Sequence, residues 1–320
     1  MKNEFYNKAN EYAIGRPTYP EEIIRKIKEL GIGNHSTIAD IGAGTGLLTY
    51  MLNKLDCMIL AVEPNEEMLA ECKNYCSTLT NIEYINAPAE NTQIKDNSLD
   101  MILIAQAFHW FDKELSKVEF KRILKENGYI IFLWNDLQIH NEFASEYMNI
   151  IRKYTIKTTA AISNFDPDKE KYNFLGQEYE KIYYNNTQSL DLEGIIGNAS
   201  SLSYTPSKID SNYVEFEREL KNLFLNYQEE GQVTLYYKTE MCIGQFLKWA
   251  LYVNLSNSNE LILQRSGAIL LRISARFSLR TNLRNKVYLQ KINIINLKCD
   301  PWLVFWLLKK SENSLTLEST

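Results

Sequence analysis

The chain is 320 residues long, 45% apolar and 23% charged, which suits one large α/β domain with an insertion, or a domain with a small appendage. Its net charge of −5 is unevenly spread: residues 246–320 hold eleven Lys/Arg against four Asp/Glu (+7), and residues 1–245 hold 24 against 36 (−12). The acidic body is a poor nucleic-acid surface, the amino-terminal dozen residues lack the apolar stretch of a secretory signal, and no apolar run reaches the roughly 18 residues of a spanning helix.

The elements follow in chain order. Ile23, Ile24, Ile27 and Leu30 fall at helical spacing behind Pro20 and before Gly31, which marks a leading helix. Thr37–Ile41 reads as a buried strand that runs into a glycine-rich turn, after which Leu47, Leu48, Met51, Leu52 and Leu55 restore the helical period. The alternation continues with Cys57–Val62 as strand, Glu66–Cys76 as helix, Ile82–Ile85 and Met101–Ile104 as strands, Leu115–Leu124 as helix and Tyr129–Trp134 as strand, with Gly128 turning the chain before the last. Strands apolar on both faces and separated by helices predict an α/β, Rossmann-like sheet of seven mostly parallel strands with helices on both faces. Beyond Trp134 a mostly helical insertion, residues 135–230, is expected: a helix over 140–160, a polar loop over 161–180, a short strand at Lys181–Tyr184, and helices at Ser189–Ala199 and Val214–Tyr227. A final strand, Gln232–Thr239, closes a domain assigned to residues 1–245.

The five cysteines (Cys57, Cys72, Cys76, Cys242, Cys299) are odd in number and form no C-x-x-C pair, which predicts reduced thiols in a cytoplasmic protein. Cys72 and Cys76 could share a helix face, but His35, His109 and His140 are all distant in the chain, and no metal site is expected.

The chemistry concentrates at the end of the first strand. In Asp40-Ile41-Gly42-Ala43-Gly44-Thr45-Gly46 alternate glycines let the backbone turn sharply and approach a ligand, and the next helix presents free N–H groups. A dinucleotide fingerprint, G-x-G-x-x-G, would need glycine at position 47, which is Leu47. The G-x-G-x-G spacing with Asp40 two residues earlier favours a ligand bearing an ammonium, which Asp40 would answer. Glu63, followed by Pro64, ends the second strand, where a carboxylate can accept both hydroxyls of a ribose.

The runs Ile38–Leu48 (IADIGAGTGLL) and Ala61–Leu69 (AVEPNEEML), Ala87-Pro88-Ala89-Glu90 and Asn97–Met101 resemble the motifs of class I S-adenosylmethionine-dependent methyltransferases, over roughly residues 5–240. Gly15-Arg16-Pro17-Thr18-Tyr19-Pro20 and Gln106–Asp112 are similar to segments of the small-molecule branch that includes trans-aconitate methyltransferase. The resemblance implies S-adenosyl-L-methionine as cofactor. It would contact Asp40, Gly42, Ala43, Gly44 and Gly46 with its methionine part, Glu63 and Pro64 at the ribose, Asn65 or Met68 beside the adenine, and Ala89 and Glu90 at the adenine edge. Gln106 joins the cofactor set. Arg16 belongs, with Tyr12 and Tyr19, to an amino-terminal arm that lies over the cofactor in similar proteins. His109, at the carboxyl end of the fourth strand, is either the catalytic base or a wall residue, since a carboxylate acceptor needs no base. Tyr12, Trp110, Trp134 and Tyr204, with Ser200 and Ser201, are expected on the substrate side. The implied reaction is methyl transfer to a small-molecule acceptor, a carboxylate or a hydroxyl, with no nucleic-acid partner. The alternatives are a nucleic-acid or protein methyltransferase that docks through its basic tail, and a non-catalytic S-adenosylmethionine-binding protein. A nicotinamide dehydrogenase ranks behind them because of Leu47.

Residues 246–320 depart from this pattern. Arg272, Arg276, Arg280 and Arg284 at four-residue spacing predict a basic stripe on a helix, and Pro301–Leu308 is strongly apolar. A membrane-surface or partner-binding helix pair, an oligomer arm and a poorly folded extension without a role all fit that composition.

Overall fold

The computed structural model describes residues 15–155 and 166–246 with their side chains, together with the backbone of several strands beyond Phe246. The chain divides into two compact units, Met1–Phe246 and Leu247–Thr320.

In the first unit, a leading helix α1 (Glu22–Glu29) buries Ile23, Ile24 and Ile27. The strands β1 (Thr37–Ile41), β2 (Met58–Val62), β3 (Ile82–Ile85), β4 (Leu99–Ala105) and β5 (Leu124–Leu137) alternate with the helices α2 (Leu47–Leu52), α3 (Glu66–Tyr75) and α4 (Lys113–Ile123). The segment after β5 supplies α5 (Glu142–Tyr154), α6 (Pro167–Leu175), β6 (Glu180–Leu190), α7 (Leu192–Ser200) and α8 (Tyr213–Tyr227), and β7 (Val233–Gly244) closes the sheet. The strand order is β3-β2-β1-β4-β5-β7-β6. β1 pairs in parallel with both β2 and β4, whereas β7 runs antiparallel to β5 and β6. The strand order thus reverses at β1, with β2 on one side and β4 on the other. In open α/β sheets that switch point is where ligands bind, at the carboxyl ends of the strands.

The central strands are buried on both faces because their consecutive apolar residues point to opposite sides of the sheet. Ile38, Ile59, Met101, Leu103, Ile131 and Leu133 pack under α1 and α2. Ala39, Leu60, Ile102, Ile104, Ile130 and Phe132 pack on the other face with Phe120 and Ile123 of α4 and Phe174 and Leu175 of α6. A separate core joins α5, α7 and α8, with Tyr147, Ile195 and Phe216 at its centre, to the ends of β6 and β7.

Two expectations for this unit change. The polar stretch 161–180 is not all loop: α6 occupies Pro167–Leu175, with Asp166 capping the backbone N–H groups of Asp168 and Lys169, Pro167 in its first turn and Gly176 in the left-handed conformation at its end. These are ordinary start and stop signals, hidden by the many charges on the exposed side of a short helix. Nor does Gly128 turn the chain between helix and strand. β5 begins directly at Leu124, and Gly128 sits inside an irregularity of the ladder between the Leu124 and Tyr129 pairings, where a Cβ would press on the Leu124 side chain at 2.5 Å. The strand expected at Lys181–Tyr184 is present and longer, as β6, and forms the edge of the main sheet.

The second unit contains a five-stranded antiparallel sheet, β8 (Trp249–Val253) through β12 (Thr316–Leu317), in sequential order. The expected arginine-striped helix is therefore corrected. Arg272, Arg276 and Arg280 lie on the strand β10 (Leu270–Thr281). The physical reason is visible in the sequence: Leu271, Ile273, Ala275, Phe277 and Leu279 alternate strictly with polar residues, and every period of four is also a multiple of the strand period of two. Arg284 and the run Pro301–Leu308 lie outside the described residues.

Candidate functional site

At the carboxyl end of β1 the chain turns through Gly42 (φ 77°), Gly44 (φ 56°) and Gly46 (φ 90°), all in the left-handed region that favours glycine. Two of these positions are also closed by neighbours. A Cβ on Gly42 would lie 2.5 Å from the Ala107 Cβ, and one on Gly46 would lie 2.8 Å from Cys72 Sγ and 3.3 Å from Cys76 Sγ. Glu63 braces the loop from β2: Oε2 accepts from the Gly44 N–H and Oε1 from the Asn65 N–H, each at 3.0 Å. Burial raises the Glu63 carboxyl above its usual range, and those two backbone bonds moderate the effect. Asn65 caps α3 by accepting from the Glu67 and Met68 N–H groups.

Asp40 lies on the floor of a pocket lined by Gly42, Ala43 and Thr45 of the loop, Gln106 after β4, Asn135 of β5, and Arg16 with Pro17 from the arm. The aspartate is 1% exposed. Its Oδ2 accepts from Thr49 Oγ1 at 2.6 Å, while its Oδ1, fully shielded, has no hydrogen-bond partner. Burial is the main reason that the Asp40 carboxyl is pushed up to about 7; the Thr49 hydroxyl opposes the shift and the nearby Glu63 charge adds to it. The Thr45 hydroxyl, in the same lining, is likewise buried without a partner. Buried polar atoms left unpaired cost about 1–3 kcal/mol each, so two of them in one lining mark a place built for a polar ligand. A cationic group answers Asp40 best, since it restores the ionised form that burial disfavours.

The other predicted residues that the structure describes lie outside the lining of this pocket, Gln106 excepted. Pro64 is exposed beside Glu63, Met68 and Ala89 are buried, and Glu90 Oε1 accepts from the Asp112 N–H at 2.7 Å. Gln106 takes a left-handed conformation (φ 56°), receives the pocket on one side and donates from Nε2 to the Asn135 carbonyl at 3.2 Å. His109 and Trp110 occupy a short helical turn, Phe108–Trp110, and Lys113 Nζ donates to the carbonyls of Phe108 in the turn and Phe111 just after it, at 2.7 and 2.8 Å. The His109 ring lies 4.6 Å from the Trp110 ring and 5.2 Å from the Trp134 ring, centre to centre. His109 is exposed at its edge, yet desolvation of the ring among its neighbours, together with the positive charges of Lys113 and Arg16, lowers the imidazole to about 4. Tyr204 is half-buried against the helical core of the insertion, and burial raises its phenol despite the neighbouring Arg16 charge. Ser200 and Ser201 are both buried at the end of α7; the Ser200 hydroxyl has no partner, and the Ser201 carbonyl receives Arg16 Nη2 at 3.1 Å. Tyr12 lies outside the described residues.

The pocket thus brings together Arg16, Asp40, Gly42, Ala43 and Gln106 of the expected set, while Glu63, Gly44 and Gly46 shape its wall from behind. Thr45, Thr49 and Asn135 were missed. Their signal was a polar side chain inside an otherwise apolar run, a pattern that marks a buried hydrogen bond as often as a site.

Residues 39–132 match the family described as "Methyltransferase domain". Among curated proteins, an uncharacterised methyltransferase of Mycobacterium tuberculosis is 33% identical over 135 residues, covering 42% of this chain and 53% of that protein. A Saccharomyces cerevisiae protein named as an S-adenosylmethionine-dependent methyltransferase, CRG1, is 29% identical over 160 residues, covering 48% of this chain and 55% of its own length. The chain therefore spans about half the length of the curated relatives it matches. A solved structure from Anaeromyxobacter dehalogenans, named for a type II methyltransferase, superposes with a TM-score of 0.52 at 18% identity, covering 72% of this chain and 97% of the other, which shows a shared fold. With its strand order and its glycine turn above a buried acid in agreement with the matched segment, the chain carries a methyltransferase domain over residues 39–132.

Proposed function

We propose that the protein transfers a methyl group from S-adenosyl-L-methionine to a small-molecule acceptor, a carboxylate or a hydroxyl. The observation that carries the reading is the Asp40 Oδ1 atom, wholly buried, unpartnered and set in a pocket lined by Gly42, where a Cβ would lie 2.5 Å from the Ala107 Cβ. The cofactor supplies an electrophilic methyl group on a sulfonium. Asp40 would hold its ammonium, and Gly42 and Gly44 would let the main chain approach it closely. Each Glu63 oxygen accepts one backbone N–H and keeps a free lone pair, so the same carboxylate would serve the ribose hydroxyls while holding the loop. Met68, Ala89 and Glu90 would flank the adenine.

A histidine held near 4 is neutral and weakly basic at physiological pH, which supports an acceptor that is already an anion over one that must first lose a proton. His109, Trp110 and Trp134 would then form an aromatic wall that excludes water and orients the acceptor, and Arg16 would add positive charge to that side. Isothermal titration of the full-length chain with S-adenosylhomocysteine tests the cofactor site, and methyl transfer from labelled S-adenosylmethionine to panels of small carboxylates and alcohols tests the chemistry. Micromolar binding with turnover on a carboxylate is expected. No binding by a well-folded chain refutes the cofactor reading, and binding without turnover on any acceptor points to a non-catalytic role.

A further inference from the structure

The segment that closes the pocket from the arm side, Gly15–Pro20, is held by side chains far from it in the chain. The Gly15 carbonyl accepts from Asn198 Nδ2 at 2.6 Å and from Gln188 Nε2 at 3.0 Å. The Thr18 carbonyl accepts from Asn186 Nδ2 at 2.7 Å and from Asn135 Nδ2 at 3.2 Å. Four amides from β5, β6 and α7 therefore clamp two carbonyls of one short strap, and between those two carbonyls sit Arg16 and Pro17, both in the pocket lining. Asn198 is the hub of the clamp. Its Oδ1 accepts from the Tyr147 hydroxyl at 2.6 Å, and its Nδ2 lies 3.1 Å from the Tyr237 hydroxyl and 3.3 Å from Gln188 Oε1. At the same point the main chains meet so closely that a Cβ on Gly15 would collide with the backbone of Gly197 and Asn198.

A buried asparagine that served only its own core would spend its donors on partners within α7 or the insertion. Here a donor is spent on the carbonyl of a strap 183 residues earlier in the chain, whose next residues line the pocket. We propose that Asn198 is a positioning residue: it latches the Gly15–Tyr19 strap over the glycine loop, and the strap must unlatch before the cofactor leaves. The inference rests on the S-adenosylmethionine reading of the pocket and adds to it the device that sets cofactor release.

The test uses the full-length chain, S-adenosylhomocysteine as probe, and the variants Asn198→Ala, Gly15→Ala and the pair combined. Gly15→Ala leaves every partner of Asn198 within the insertion in place, so it blocks docking of the strap without disturbing the core beneath it. Two quantities are read: the dissociation rate of the probe by stopped flow, and hydrogen exchange of a peptide spanning residues 15–19 compared with one spanning β2. Each single variant is expected to speed dissociation at least tenfold and to speed exchange in the strap but not in β2, and the double variant to dissociate no faster than the faster single one. Unchanged dissociation in Gly15→Ala, or a double variant whose effect is the product of the singles, overturns the latch while leaving the cofactor reading intact. A wild-type chain that binds no probe overturns the cofactor reading itself.

Discussion

Replacing Asp40 by asparagine tests the electrostatics of the pocket floor. The carboxyl is fully buried, one oxygen is satisfied by Thr49 of α2 and the other by nothing, Glu63 just after β2 adds a like charge, and Cys72 of α3 and Cys76 at its end are the other titratable neighbours. Burial lifts it from 3.8 to about 7. At about 1.4 kcal/mol per unit, that displacement corresponds to roughly 4 kcal/mol. The sign follows from which state holds the proton more tightly. The folded chain does, so the cost is absent below pH 3.8, grows as the unfolded carboxyl ionises, and is complete above about 7. Asp40→Asn should therefore be more stable than the wild type at pH 8, with an advantage that shrinks towards pH 5. Even a quarter of the full figure, about 1 kcal/mol, moves the thermal midpoint of a domain this size by roughly 2–4 °C. The same substitution removes the anion proposed to meet the cofactor's ammonium, so binding of S-adenosylhomocysteine at pH 8 should weaken at least tenfold, about 1.4 kcal/mol. Thermal melts of both proteins between pH 5 and 8, with and without the ligand, read both effects. A midpoint difference independent of pH would show that Asp40 carries no buried charge, and a variant that binds as well as the wild type would show that it meets no cation.

Glu63→Ala deletes the acceptor for the Gly44 and Asn65 N–H groups, and calorimetry should show S-adenosylhomocysteine binding at least tenfold weaker, about 1.4 kcal/mol. Gly46→Ala places a methyl group 2.8 Å from Cys72 Sγ at a φ of 90°, which should lower stability in urea melts by about 1–3 kcal/mol; a midpoint equal to the wild type would mean the loop relaxes freely. Glu240→Gln leaves Lys171, which is 5% exposed, without its main counter-charge; chemical denaturation should reveal a loss of about 3 kcal/mol, less whatever Asp168 at 3.2 Å restores. With its imidazole held near 4, His109 should show no inflection between pH 5.5 and 8 in a proton NMR titration assigned with His109→Gln, and a midpoint near 6.5 would remove the argument for an anionic acceptor.

Much of the sheet was legible because a parallel strand buried on both faces must be apolar at consecutive positions, so Thr37–Ile41 agrees with its observed bounds and Cys57–Val62 differs from its own by one residue. The glycine loop was legible for a related reason: three positive φ angles within five residues exclude most side chains and leave a glycine pattern behind. What misled lay where one pattern admits two periods. The arginines of β10 repeat every four residues and every two, and α6 shows more charge than apolar face.

The amino-acid order alone determines the alternation of strand and helix, the identity of the turn at Asp40–Gly46 and the acid at Glu63, since each follows from local backbone geometry and from which residues can be buried. Only the tertiary structure decides what those groups meet. Whether Asp40 is paired or orphaned depends on Thr49 and Glu63, which approach it from other elements. That His109 is a weak base rather than an ordinary histidine depends on Trp134, Lys113 and Arg16. That Asn198 and Gly15 touch across 183 residues depends on the folding of the insertion against the strap. Charge, burial and hydrogen bonding are properties of neighbours in space, and sequence spacing specifies those neighbours only within one element.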